Sequence, residues 1–570
     1  MSNPRNRILA STALALVLAA PLGYFAKGHL AAMAATSAEP AATQFAPATV
    51  APAAAPAAAT PANEPVATPA SAPATVTEPS AQPAAATEQT AIEPAVAPDP
   101  LAALDPADRA VAENIRDLLA TRGDKLFTAK KERAAVEAFY QNRNLAPLWL
   151  DKGIQNARAE AVIARMKNAD ADGLDPGDYK APSFAGLAPE ALAEAELRLT
   201  RAVLTYARHV QAGRFPYTRV SKNIELPQAA PEPADVLSSV ADAANAGKAL
   251  DLYSPQNEHY RKLKAALADL RGKPGASKGQ IDTITANMER WRWYPRDLGN
   301  AYSLVNLPDF TLRVMHNGGQ VWTTRIVIGK PSMPTPLLSE TMKYLTVNPT
   351  WTVPQSIVRN EYLPALAQDP TVLDRMGLRV SYNGGGVTIT QPPGDGNALG
   401  RVRFSFNNRF SVFQHDTPDK GLFGDTVRAY SHGCMRVQDP PKYAEVLLNI
   451  ARPSEHWTAE KIRRMYGGGE RDLPLQATPI WVHLTYQTAF VDNAGKLEMR
   501  RDIYGLDGRT IAAIKSERGN LEPALERKRE EIATAPRKPA APAARTGALS
   551  QSTYTTPGYA RQLPPQPIYR

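Results

Sequence analysis

The 570-residue chain has one cysteine, Cys434. One cysteine cannot form an internal disulfide, so the thiol is either an inert buried group or a reactive one. Residues 36–100 contain no lysine or arginine. Residues 532–570 contain five and no acid, so the net charge of +9 is spread unevenly. After the N-terminal segment no apolar run is long enough to span a bilayer. There is no internal repeat and no nucleic-acid-binding motif, which argues against a nucleic-acid partner. The basic balance suits an acidic polymer such as cell wall.

At the N-terminus, Arg5 and Arg7 precede an apolar run from Ile8 to Ala26, which Lys27 closes, and "AAMAA" follows at 31–35. Residues 1–35 therefore read as an export signal or a membrane anchor, with cleavage and retention both open. The chain is expected to be exported to the periplasm, either free there or associated with the inner membrane through this segment. Residues 36–100 are mostly Ala, Pro, Thr and Glu and cannot bury enough apolar surface to offset chain entropy. They read as a disordered spacer. From 101 to 275 apolar residues recur three and four apart over 107–120, 130–144, 158–173, 190–214 and 258–272, which predicts a helical domain with a stop at Gly173. From about 276 the period shortens to two. "YSLVNL" and "FTLRVMHNGGQVWTTRIVIG", with a hairpin turn at Asn317-Gly318, open a mainly β domain over about 280–515. A helical stretch interrupts these strands at about 355–400 and is expected to be either a lid or a plain surface excursion. Residues 516–570, Pro-rich and basic, read as a disordered tail.

The cysteine stands in "AYSHGCMRV" (429–437), with fifteen residues between His415 and Ser431. A thiolate is the reactive form of cysteine and needs a base or cation beside it; an imidazole titrates near working pH and serves best. His432 lies two residues from Cys434, and His415 ends the predicted strand "FSVFQH". Either histidine can be the base on this spacing alone. Gly433 permits a tight turn, and the N–H groups of Gly433 and Cys434 are candidate oxyanion donors. Arg436 is either a grip for a carboxylate or the partner of Asp425 or Asp439. Tyr430 and Trp351 are groove candidates, with core packing preferred for Trp351. A zinc site on His415, His432 and Cys434 is the rival reading, disfavoured because no fourth ligand is evident.

This His, fifteen residues, then Ser-His-Gly-Cys resembles the signature of the L,D-transpeptidase family with the YkuD-type fold. "NMERWRWYP", "VNPTWTVPQSI" and "VHLTYQTAFVDNAGKLEMRRDIYG" resemble its large two-domain members, and "AFYQNRNLAPLWLDKG", "NADADGLDP" and "LTYARHVQAGR" resemble their helical scaffold. The resemblance covers roughly 130–510. It implies a multidomain protein with an N-terminal α-helical scaffold and a mainly β catalytic domain. It assigns the nucleophile to Cys434 and the proton transfers to His415, oriented by a backbone carbonyl such as that of Asp416. His432, Gly433 and Ser431 become supports, and Arg436 and Tyr430 substrate contacts. No metal or cofactor is required.

The implied reaction joins peptidoglycan stem peptides by 3→3 cross-links through a cysteine thioester, with release of D-alanine. Other cell-wall enzymes are potential partners. Open alternatives are a carboxypeptidase or endopeptidase, attachment of an envelope protein to peptidoglycan, and a non-catalytic wall-binding scaffold. The small peptidoglycan-binding repeat of many large members is not recognisable between 250 and 286.

Overall fold

The structure, a computed structural model, describes residues 100–516 except 385, 476 and 477. The expected signal or anchor, the spacer up to residue 99 and the tail from 517 lie outside the described residues.

The N-terminal half is helical, with helices Pro106–Leu126, Lys130–Asn142, Ala157–Lys167 and Pro189–Ala212. Local chemistry sets where they start. The Asp105 carboxylate accepts from Ala107 N (3.0 Å) and the Asn156 amide oxygen from Ala159 N (3.0 Å), and Pro106 and Pro189 occupy first-turn positions where no N–H is needed. In the longest helix Leu192, Glu196, Leu199, Val203, Tyr206 and Val210, spaced by four and three, are all buried. The stripe fixes which face enters the core, and it carries an acid in its middle. Gly173, at φ +68°, ends the turn Ala169–Asp172.

The expected switch to strands at 276 is not what the structure shows. Lys278–Trp291 is a helix, and the first strand of the sheet begins at Ala301. The β-branched residues of "IDTITA" suggest a strand, but Ile284, Met288 and Trp291 lie four and three apart and are buried on one face, so burial of that face overrides local propensity. This helix joins the two halves. Glu289 accepts from Arg214 N (2.6 Å) and pairs with Arg292 (2.7 Å), while Arg290 pairs with Asp507 (2.7 Å) and donates to Tyr486 O (3.0 Å).

We label the strands that follow β1 (Ala301–Asn306), β2 (Thr311–His316), β3 (Gly319–Gly329), β4 (Leu337–Val347), β5 (Trp351–Thr352), β6 (Arg379–Asn383), β7 (Gly386–Gln391), β8 (Val402–Phe406), β9 (Gln414–His415), β10 (Ala429–Ser431), β11 (Met435–Val437), β12 (Arg471–Pro474) and β13 (Trp481–Thr485). The sheet runs β8-β9-β11-β3-β2-β1-β13-β4, and β4 also pairs with β8, so the pairing closes on itself. Asn317 (φ +50°) and Gly318 (φ +77°) form the two-residue β2–β3 turn. The helix Pro440–Ala451 packs onto the sheet with Tyr443, Leu447 and Leu448 buried.

Strands β5, β7 and β6 form a separate small sheet with its own core of Val353, Val358, Leu373, Leu378 and Ile389. The interruption expected at about 355–400 thus contains four short helical pieces between Gln355 and Arg375 and a hairpin, β6–β7. Trp351 packs against this core, edge to face with Tyr362 at 6.4 Å.

Candidate active site

Strands β9 and β11 run parallel and adjacent, with Gln414 opposite Met435 and His415 opposite Arg436. Met435 N donates to Phe413 O (3.1 Å), which carries the register back one step and sets Cys434 across from Phe413. Side chains alternate along a strand. Gln414 and Met435 are fully buried on the core side, so Phe413, His415, Cys434 and Arg436 share the other face. The rings of Phe413 and His415 meet at 5.7 Å, and the guanidinium of Arg403, opposite His415 on β8, lies 5.9 Å from the Phe413 ring.

A parallel pair needs a crossover connection. Here residues 416–434 supply it, and they end in the Ser-His-Gly-Cys turn. That turn is braced from several sides. Ser431 Oγ donates to Cys434 O (2.5 Å) and accepts from Gly433 N (3.1 Å). Thr335 Oγ1 donates to Gly433 O (2.8 Å) and accepts from Gly329 N (2.9 Å), and Tyr504 OH donates to Gly329 O (2.6 Å). Gly433 has φ +116°, a region that L side chains rarely adopt. A Cβ on Gly329 would sit 2.2 Å from Met333 O and 3.1 Å from Gly433 Cα, so these two glycines allow the chains to approach.

Two expectations change. Gly433 and Cys434 were read as paired oxyanion donors, but Gly433 N–H is engaged by Ser431 Oγ, which leaves the Cys434 N–H as the donor of that pair. For Arg436 only the ion-pair alternative, with Asp425 or Asp439, is affected. Asp425 instead accepts from Tyr430 OH (2.7 Å) and Asp439 from Lys442 N (3.3 Å) at the start of a helix. The carboxylate within reach of Arg436 is Asp419, at 3.8 Å. Tyr430, 44% exposed, is tied to Asp425 on its own loop. His432 is half-exposed and turned to Glu361 Oε1 (2.7 Å) on the interrupting segment and to Lys330 Nζ (3.4 Å).

His415 is buried, and its Nδ1 lies 2.5 Å from Asp416 O. A carbonyl only accepts, so Nδ1 carries the proton and Nε2 the lone pair. Asp416 is itself held tightly. Its carboxylate accepts from Arg401 N (2.8 Å), Thr417 N (2.7 Å) and Lys420 Nζ (2.5 Å), and its N–H donates to Val402 O (2.8 Å). Behind β9, Tyr443 OH donates to Gln414 Oε1 (2.8 Å). Burial, then the Arg436 charge, push the His415 imidazole down to about 3. Burial pushes the Cys434 thiol up to about 11. The resting pair is therefore neutral on both sides. Asp416 is the residue whose carbonyl the resemblance names for His415, whereas Thr335 and Arg403 carry no sign in the sequence, because only contacts between distant segments bring them to the site. Among the described residues no three or more His, Cys, Asp or Glu side chains come together as a metal site.

Residues 134–267 match the model of a scaffold domain, and residues 300–466 that of an L,D-transpeptidase catalytic domain, YkuD. A Haemophilus influenzae protein named provisionally as an L,D-transpeptidase is 26% identical over 402 residues, which cover 65% of this chain and 77% of that one. Among solved structures, an L,D-transpeptidase from Mycobacterium smegmatis is 13% identical over 33% of this chain and 59% of its own, with a TM-score of 0.18. An Enterococcus faecium L,D-transpeptidase is 16% identical over 33% and 51%, with a TM-score of 0.14. The chain spans between half and three-fifths of these two solved chains.

Proposed function

Because the chain carries an L,D-transpeptidase catalytic domain of the YkuD family joined to a scaffold domain, we propose that it forms 3→3 cross-links between peptidoglycan stem peptides through a thioester on Cys434. The observation that carries this reading is the register of β9 and β11, which puts the lone thiol and a tautomer-fixed imidazole on one face of adjacent strands.

The steps are those that the family resemblance implies, and that geometry supports them. Cys434 Sγ attacks the carbonyl between the L-centre of diaminopimelate and D-alanine, and its proton passes to His415 Nε2. The S–C bond forms, the C–N bond breaks, and the imidazolium gives the proton to the departing D-alanine amine. The Cys434 N–H faces the developing oxyanion. A side-chain amine of a second stem then attacks the thioester, loses a proton to His415 and restores the thiol. Arg436 disfavours the imidazolium in the empty site. A substrate carboxylate held by Arg436 offsets that charge, so binding prepares the base. We place the enzyme in the periplasm, exported through its N-terminal segment, where other wall enzymes work on the same polymer.

The test is incubation of purified protein with tetrapeptide muropeptides, read by mass spectrometry. A 3→3 dimer with free D-alanine supports the reading. Tripeptide alone means that water resolves the thioester, and unchanged substrate rejects both.

A further inference from the structure

The strand pairings set Thr346 (β4), Arg403 (β8), His415 (β9) and Arg436 (β11) side by side in one row across the sheet. Opposed residues on neighbouring strands share a face, so the row lies on the face of Cys434, with an arginine on each side of the histidine. The two arginines differ in what they meet. Arg436 has Asp419 at 3.8 Å. Arg401 and Arg409, near Arg403 in the chain, also have acids, Asp395 and Glu225. Arg403 is half-buried and donates from Nη2 to Thr346 Oγ1 (3.2 Å), and no carboxylate lies within 4 Å of its guanidinium among the described residues. Thr346 Oγ1 gives its own proton to Asp472 Oδ1 (2.6 Å), so the partner of Arg403 is a neutral hydroxyl oxygen. A guanidinium has five N–H donors and stays charged at any working pH. This one therefore has donors to spare and a charge that no acid balances. Its carbon lies 5.9 Å from the Phe413 ring, and Phe413 is the residue across from Cys434. The cation thus stands on the β8 side of the catalytic pair, as Arg436 stands on the β11 side.

We propose that Arg403 selects the acyl acceptor, by binding a carboxylate that stands beside the attacking amine. The acceptor class is then an α-amino acid centre, such as the D-centre of diaminopimelate, rather than the side chain of a protein lysine. This rests on the transpeptidase reading above. In the second step the amine nitrogen bonds to the thioester carbon, the C–S bond breaks, and the amine proton passes to His415 Nε2 and from there to Cys434 Sγ. His415 stands on β9, between the strand of Cys434 and β8. An amine that shares its proton with Nε2 while it reaches the thioester comes in over β9, and the groups it carries extend over β8. Adjacent strands are about 4.8 Å apart, so β8 lies about 10 Å from β11, a gap that a guanidinium and an α-amino acid span together. At such a centre the amine and the carboxylate share one carbon, so a bidentate grip on the carboxylate aims the amine. A lysine side chain has no carboxylate beside its amine and gains nothing from Arg403.

The full chain is given a tetrapeptide stem as donor and either D-methionine or D-methioninamide as acceptor, two amines that differ in the carboxylate. Products are read by mass spectrometry, and rates are referred to the unprotonated amine. The wild type is expected to transfer to D-methionine at least about tenfold faster, the effect of a charge-assisted hydrogen bond. Arg403→Gln is expected to lose most of that preference. Arg403→Lys keeps the charge without the fork; it is expected to lower the preference several-fold, and it decides the matter where Arg403→Gln does not fold. A purely structural role, holding β8 to β4 through Thr346, would slow transfer to both acceptors alike and leave the preference in place. A wild type that serves both acceptors equally, or a preference that survives in the decisive variant, overturns the role of Arg403. Release of D-alanine reports the thioester separately. Release followed by transfer without preference rejects Arg403 as the selector and leaves the transpeptidase reading standing, whereas no release, or release followed by hydrolysis alone, rejects both.

Discussion

Each domain holds a buried ionisable side chain whose charged form burial disfavours, Glu196 in the scaffold and His415 in the catalytic domain, and the two differ in what meets their polar atoms. The Glu196 oxygens accept from Leu148 N (2.5 Å), Trp149 N (3.1 Å) and Tyr140 OH (2.9 Å), and burial pushes the acid up to about 7. Its valences are filled by the chain itself. His415 has one nitrogen bound to Asp416 O and the other left with a lone pair on the face that carries the thiol. The comparison separates two uses of burial. A fully bonded buried acid locks an irregular segment, here 148–149, onto a helix. A buried base with one site open is held ready for a reactant.

Five substitutions probe that contrast, from the largest expected effect to the smallest. Cys434→Ala is expected to abolish the thioester altogether with the fold intact. Intact-mass measurement after carbapenem exposure should show an adduct on the wild type and none on the variant. His415→Ala is expected to slow acylation by roughly two to four orders of magnitude, the usual effect of a positioned acid–base group, while His432→Ala, whose ring faces Glu361, loses far less. An equal loss in both by stopped-flow acylation would reverse the assignment of the base.

Glu196→Gln should leave acylation untouched and change the pH dependence of stability. The folded-state value of Glu196 lies above the unfolded one, so its contribution is complete below pH 4.5 and is lost as pH rises through about 7. The span amounts to roughly 3 kcal/mol, and urea unfolding of wild type and variant at pH 5 and pH 8 should show the wild type losing more. The histidines act in the opposite direction. His415 at about 3 and His483 at about 4 are depressed, so they stabilise above pH 6.5 and lose that contribution as pH falls toward those values. The smallest effect is expected from Glu361→Ala. An exposed pair with His432 contributes about 1 kcal/mol at most, so donor affinity should fall only a few-fold. A rise in hydrolysis relative to transfer, read from the tripeptide-to-dimer ratio, would give the segment around Glu361 the role of a lid.

Much of the organisation is legible along the chain. The three- and four-residue spacing from Leu192 to Val210 marks a helix, and the Asn317-Gly318 pair marks a hairpin, because each rests on contacts between near neighbours. Lys278–Trp291 was misread, since a β-branched composition masked a helical spacing that only the facing helices make favourable. The helix Leu506–Ser516 was not foreseen either; its place depends on Asp507 meeting Arg290 across some two hundred residues of sequence.

The sequence alone determined the thiol's uniqueness, its histidine at a fixed interval, the glycine that permits the turn and the division into helical and strand-rich halves. These are matters of residue identity and local spacing, and steric and periodic rules read them directly. Only the tertiary structure decided which histidine shares a face with the thiol, that Asp416 is clamped so that its carbonyl fixes the imidazole tautomer, and that Gly433 N–H is already used. Each depends on strand register or on contacts between distant segments. A shift of one residue in the β9–β11 pairing would reverse every side chain on that face without changing a letter of the sequence.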